Sequence, residues 1–60
     1  MIDLIIIGKN NIKSTYPNNT YMEIKINSEK IKIFRTSSFT DIEEMKLDKN
    51  KIVEIKLEIR

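Results

Sequence analysis

Between Ile52 and Arg60 the chain alternates without a break. Val53, Ile55, Leu57 and Ile59 are apolar, and Glu54, Lys56, Glu58 and Arg60 between them are charged. A period of two gives a β-strand one apolar face and one charged face. At about 3.3 Å per residue this strand is roughly 30 Å long. A compact domain of this size is about 27 Å across when treated as a sphere. The strand therefore matches the molecule in length, which points to a second chain beside it.

Ile2–Ile7 is a further strand, apolar on both faces apart from Asp3, a pattern that suits a central or covered position. Gly8-Lys9-Asn10-Asn11 is a turn built from residues that tolerate positive φ. Ile12–Tyr16 is a short strand ended by the turn cluster Pro17-Asn18-Asn19. Thr20–Ile26 alternates, with Met22, Ile24 and Ile26 inward. Ser28-Glu29 closes it as a hairpin onto Lys30–Thr36. The register sets Ile26 opposite Ile31 and Ile24 opposite Ile33, because a slip of one residue would put isoleucine against lysine.

Ser37–Asp48 supports two readings. Thr40-Asp41-Ile42-Glu43 matches a capping box, and Ile42 and Met45 then share one side of a short helix near 40–47. Alternatively, Met45 and Leu47 fit a strand that Asp48-Lys49-Asn50-Lys51 turns into Ile52–Arg60. The helix is the favoured expectation. The pattern as a whole predicts a single domain, 1–60, mainly β with a minor α part. It has a small antiparallel sheet of four or five strands and one short helix, and is completed by dimerisation.

Composition bears on that last point. A 60-residue chain buries only about 60% of its unfolded surface, so its stability is marginal unless something is added. Cysteine and histidine are absent, which removes disulfides, thiolate zinc sites and the commonest general base. Oligomerisation is the remaining route. Two copies of Ile52–Arg60, paired antiparallel about a two-fold axis at Leu57, would set Glu54 against Arg60 and Lys56 against Glu58. An axis at Lys56 would set Glu54 against Glu58 and Lys56 against itself. The dimer interface expected is therefore Val53, Ile55, Leu57 and Ile59 with Glu54, Lys56, Glu58 and Arg60; the alternative is pairing with Ile2–Ile7 of the same chain, which would use up one edge of the strand and leave the other free.

The chain offers little catalytic chemistry. Ser14, Thr15, Ser37 and Ser38 have no histidine to activate them. Asp41, Glu43, Glu44 and Asp48 fit a helix start better than a paired-carboxylate or metal site. Ile7-Gly8-Lys9 lacks the upstream glycine, the following Ser or Thr and the helix of a phosphate-binding loop. No enzyme activity, cofactor or metal is expected.

The hairpin's outer face carries more information. Its register sets Lys25 opposite Lys32, Glu23 opposite Phe34 and Tyr21 opposite Thr36, and like charges across a sheet repel. Either a neighbouring strand supplies acids, through Glu54 or Glu58, or the face is a binding patch of Tyr21, Lys25, Lys32, Phe34 and Arg35. Aromatic groups beside basic ones suit protein interfaces and nucleic-acid stacking alike. The net charge of +2 is too small to favour nucleic acid, so the expected partner is another protein.

Met1–Ile7 is too short for an export signal or membrane span, which makes the cytoplasm the expected location. Ile, Lys and Asn dominate the usage, at 13, 9 and 6 residues, as AT-rich codons produce. The expectation is a homodimeric phage or mobile-element inhibitor of a host defence protein, acting in the host cytoplasm. The alternative is a small β-barrel-like nucleic-acid-binding protein.

Overall fold

The computed structural model describes residues 1–37 and 41–60. The strands are β1 (Ile2–Gly8), β2 (Lys13–Asn19), β3 (Tyr21–Ile26), β4 (Lys30–Thr36), β5 (Glu43–Asp48) and β6 (Ile52–Ile59). They form two antiparallel sheets of three, in the orders β2-β1-β6 and β3-β4-β5. The mainly β expectation holds, with the strands divided between two sheets. Among the described residues no helix is long and apolar enough to cross a membrane.

The two sheets meet through their apolar faces. Leu4 and Ile6 of β1 and Ile31 and Ile33 of β4 are buried together, flanked by Tyr16, Met22, Ile24, Met45, Leu47, Ile52 and Ile55. Each sheet thus contributes its central strand to the core, which is why β1 is apolar on both faces. Leu4 and Ile6 face the other sheet, while Ile5 is buried on the outer face beside Thr15 and Lys56, its cross-strand neighbours.

The β3–β4 hairpin has the register expected from its isoleucines: Ile26 pairs with Ile31, and Ile24 with Ile33. Asn27 Oδ1 accepts from the backbone N–H groups of Glu29 and Lys30, at 2.9 and 2.7 Å, and pins the turn. At the other sheet, the β1–β2 connection uses Asn10 and Asn11 at φ 66° and 58°, as the Asn-Asn pair predicts.

Three expectations are corrected. Residues 43–48 form strand β5 and not part of a helix; Thr40, the expected cap, lies outside the described residues. Met45 pairs with Ile33 and Leu47 with Ile31. A strand here puts both apolar side chains on the core and satisfies the second edge of β4, whereas a two-turn helix would leave that edge bare. Glu43 ion-pairs with Arg35 at 2.7 Å.

Strand β2 runs through Pro17 to Asn19 instead of stopping at Tyr16. The register shifts between Ile2 and Leu4, so Pro17 and Asn18 together oppose Asp3. This is a bulge on an edge strand, where proline loses no ladder bond and Asn18 can adopt φ 63°.

The length of β6 does not by itself call for a second chain. The molecule is flat and elongated, 32 × 21 × 13 Å, so β6 fits along its long axis. β6 pairs with β1, setting Leu4 against Leu57 and Ile6 against Ile55. That pairing occupies one edge of β6 and leaves the other without a partner strand among the described residues.

Candidate interaction face

The outer face of β3-β4-β5 is built by alternation. Residues that pair directly across an antiparallel ladder point to the same side. With Ile24, Ile33 and Met45 turned into the core, the intervening residues turn outward. Lys25 pairs with Lys32, and Lys32 with Lys46. The next row is Glu23, Phe34 and Glu44, and Tyr21 lies beyond it opposite Thr36.

The strand beside Lys32 is β5 and not β6, so Glu54 and Glu58 do not neutralise the lysines as the sequence allowed. A third lysine stands there instead. Lys25 is partly compensated: its Nζ lies 3.4 Å from Glu23 Oε1 and 5.6 Å from the Phe34 ring centroid. Neither Lys32 nor Lys46 has an ion pair among the described residues. Three like charges in one cross-strand row are unfavourable, and the acids of the neighbouring row flank them without pairing the central one.

Tyr21 completes the face. Its hydroxyl donates to Glu23 Oε2 at 2.7 Å. This bond, followed by Lys25, holds the Glu23 carboxyl below its usual range, and the same bond followed by the Glu23 charge raises the Tyr21 phenol. Glu23's contribution to folding is therefore present above the unfolded carboxylate value and lost as pH falls through the lowered one. Tyr21's is present below the ordinary phenol value and lost as pH rises through the raised one. In a Tyr16→Phe background, where Tyr21 is the remaining tyrosine of the two, its ultraviolet titration is expected to have a midpoint above about 10. Glu23→Gln should bring that midpoint down; an unchanged midpoint would show that the bond does not form in solution.

Arg35, expected in the patch, does not belong to it. It has the parity of Ile31 and Ile33 and lies at the end of the core, with its side chain 16% exposed. Its guanidinium stacks on the Tyr16 ring at 4.7 Å and donates to Asn19 Oδ1, to Glu43 Oε2 and to Met45 Sδ. Asn19 is fully buried, and its Nδ2 donates to the carbonyls of Ile2 and Tyr16. Arg35 and Asn19 therefore tie the two sheets together at one end of the sandwich. Alternation placed Arg35 inward in the sequence, but its charge argued otherwise. Lys46 was missed because the helix expectation removed it from the sheet.

Two other surface features are not built as sites. An open cleft of about 490 Å³ at the hairpin end is lined by Glu29, Lys30, Lys46, Leu47, Asp48 and Asn50. Its charges are mixed, and Lys30 faces Asp48 across the ladder. Among the described residues no three acidic side chains converge as metal ligands would. No protein family, curated protein or solved structure matches the chain.

Proposed function

We propose that the chain is a small non-enzymatic protein-binding domain that works as a homodimer and engages an acidic surface of another protein. The lysine row Lys25–Lys32–Lys46 supports the reading best. It is costly to the free fold, it lies on the outer face of a sheet, and Phe34 and Tyr21 add aromatic area beside it. Features that oppose stability and are only partly compensated within the fold are expected at functional sites. The residue usage of an AT-rich genome makes the concrete form a phage or mobile-element inhibitor of a host defence protein, acting in the host cytoplasm.

Lys32→Glu tests this with two opposed readouts. It converts two like-charge pairs into opposite-charge pairs, each worth about 0.2–1 kcal/mol. The variant should therefore melt several degrees higher, at about 4–8 °C per kcal/mol for a domain of this size. The same change should abolish capture of the target from extracts of low-GC bacteria. Equal capture by the variant and the parent would remove the lysine row from the function.

The lysine row is also the observation that favours the runner-up, a nucleic-acid-binding sheet that stacks bases on Phe34 and Tyr21. For that reading, binding to a single-stranded oligonucleotide must weaken steeply and log-linearly with salt. Glu23 and Glu44, which flank Phe34, oppose a polyanion, so protein is the preferred partner.

A further inference from the structure

The far edge of β6 has a definite backbone polarity. Arg60 N–H donates to the Met1 carbonyl at 2.7 Å, and the Met1 amino group donates to the Arg60 carbonyl at 2.9 Å. Met1 and Arg60 are thus a hydrogen-bonded pair, and antiparallel ladders alternate from there. Through the β1–β6 register, Glu58, Lys56 and Glu54 turn both backbone groups towards β1. Ile59, Leu57 and Ile55 turn theirs outward to the unpartnered edge. The side chains on this strand are also unusual for a free edge: Val53, Leu57 and Ile59 are 66%, 50% and 82% exposed. A long edge strand with exposed apolar side chains is a template for pairing.

We infer that this edge pairs with the same edge of a second copy, antiparallel, with the two-fold axis at Leu57. The inference rests on the homodimer reading above and specifies its geometry. Leu57 then exchanges both backbone bonds with its counterpart, and Ile55 does so with Ile59. On the outer face Glu54 meets Arg60 and Lys56 meets Glu58, each pair occurring twice.

The other two-fold registers are poorer. An axis at Lys56 sets Glu54 against Glu58, and an axis at Glu58 sets Lys56 against Arg60. An axis at Ile55 pairs Glu54 with Lys56 but carries the ladder into Val53, where β6 bulges between its Ile7 and Gly8 partners. With the axis at Leu57 the overlap is 54–60, which stops short of the bulge and pairs every charge of the overlap with one of opposite sign.

Two monomer contacts accommodate this arrangement. Lys56 leans towards Glu54 at only 3.9 Å. Arg60 holds Asp3 at 2.9 Å and also donates to Asn18, yet its side chain is about half exposed, and a guanidinium has five donors in all. The two sheets β2-β1-β6, three strands each, become one sheet of six. The unpaired edges of β6 disappear, Leu57 packs against its counterpart, and Ile59 packs against Ile55 of the second copy. Of the eight residues expected at the interface, Ile55 also packs on the monomer core, and Val53 lies just outside the overlap.

The test is sedimentation equilibrium of the full chain, with circular dichroism to confirm folding. The parent should be a dimer at micromolar concentration. Lys56→Glu and Glu58→Lys should each weaken the dimer by roughly tenfold or more, because each turns two opposite-charge contacts into like-charge ones. The combined exchange K56E/E58K should restore it. Leu57→Pro removes an outward N–H that β1 does not use, and should give a folded monomer. The charge variants lie on the outer face, so the test stands even if the proline variant fails to fold. A parent that stays monomeric up to hundreds of micromolar would remove both the homodimer reading and this geometry. A dimer indifferent to all these changes would overturn the β6 edge alone, and a combined exchange that stays dissociated would overturn the register.

Discussion

Ile33→Ala is expected to leave the chain largely unfolded at 25 °C, with no cooperative thermal transition by circular dichroism. Ile33 is fully buried at the centre of β4, between Ile24 and Met45 in the ladder and against β1 across the sandwich. Truncating such a side chain costs about 2–5 kcal/mol through lost transfer energy and an unfilled cavity. A chain of 60 residues has roughly 3–9 kcal/mol of stability in total. The loss is therefore comparable with everything holding the fold together. Ile33→Val removes a single methylene and should cost only about 0.5–1.5 kcal/mol, leaving a cooperative transition at a lower urea midpoint. If the alanine variant melts like the parent, the two sheets are not packed through Ile33.

Asn19→Ala is the second large effect, and it acts through polar groups. Asn19 sits at the end of β2 with no exposed surface, giving its amide hydrogens to the Ile2 and Tyr16 carbonyls and accepting from Arg35. Alanine leaves those two carbonyls without their donor, at about 1–3 kcal/mol for each that stays buried. Asn19→Asp separates the roles. A carboxylate would hold Arg35 more tightly, but it presents oxygen to both carbonyls. If Asn19 serves mainly as a donor, the aspartate variant should be destabilised too, with a reduced urea midpoint and an unchanged slope. An aspartate variant as stable as the parent would show that the Arg35 contact alone matters.

These two sites lie at opposite ends of what could be read along the chain. Ile33 was legible: its hairpin alternates cleanly, and one register alone matches apolar with apolar. Asn19 was not. In the sequence it belongs to a Pro-Asn-Asn turn cluster, and its burial follows from a bulge opposite Asp3, which only pairing with β1 creates. Arg35 failed for the same kind of reason. Alternation turned it inward, and a largely buried guanidinium becomes acceptable only when Tyr16 and Asn19 of β2 and Glu43 of β5 are brought around it.

The candidate face shows the same division. Lys25 opposite Lys32, with Phe34 and Tyr21 on the same side, follows from hairpin register alone, because only residues 27–29 separate the two strands and the turn fixes the offset. The third lysine required knowing that 43–48 is a strand. Local signals there favoured a helix cap. The deciding term was non-local: β4 presents an open edge and two isoleucines, and Met45 and Leu47 satisfy both at once.

By itself, then, the order of residues determined the period-two pattern, the β class, the β3–β4 register and the charge order of Ile52–Arg60. Each of these depends on side-chain alternation within one strand or across one short turn. Only the tertiary structure decided that the strands divide into two sheets, that β5 replaces a helix, and that β6 lies beside β1. Those choices depend on which distant edge is left with unsatisfied backbone groups, and no local pattern encodes that. The terminal strand carries both lessons: its charge order was legible from the start, while the freedom of its outer edge became visible only once β1 had taken the inner one.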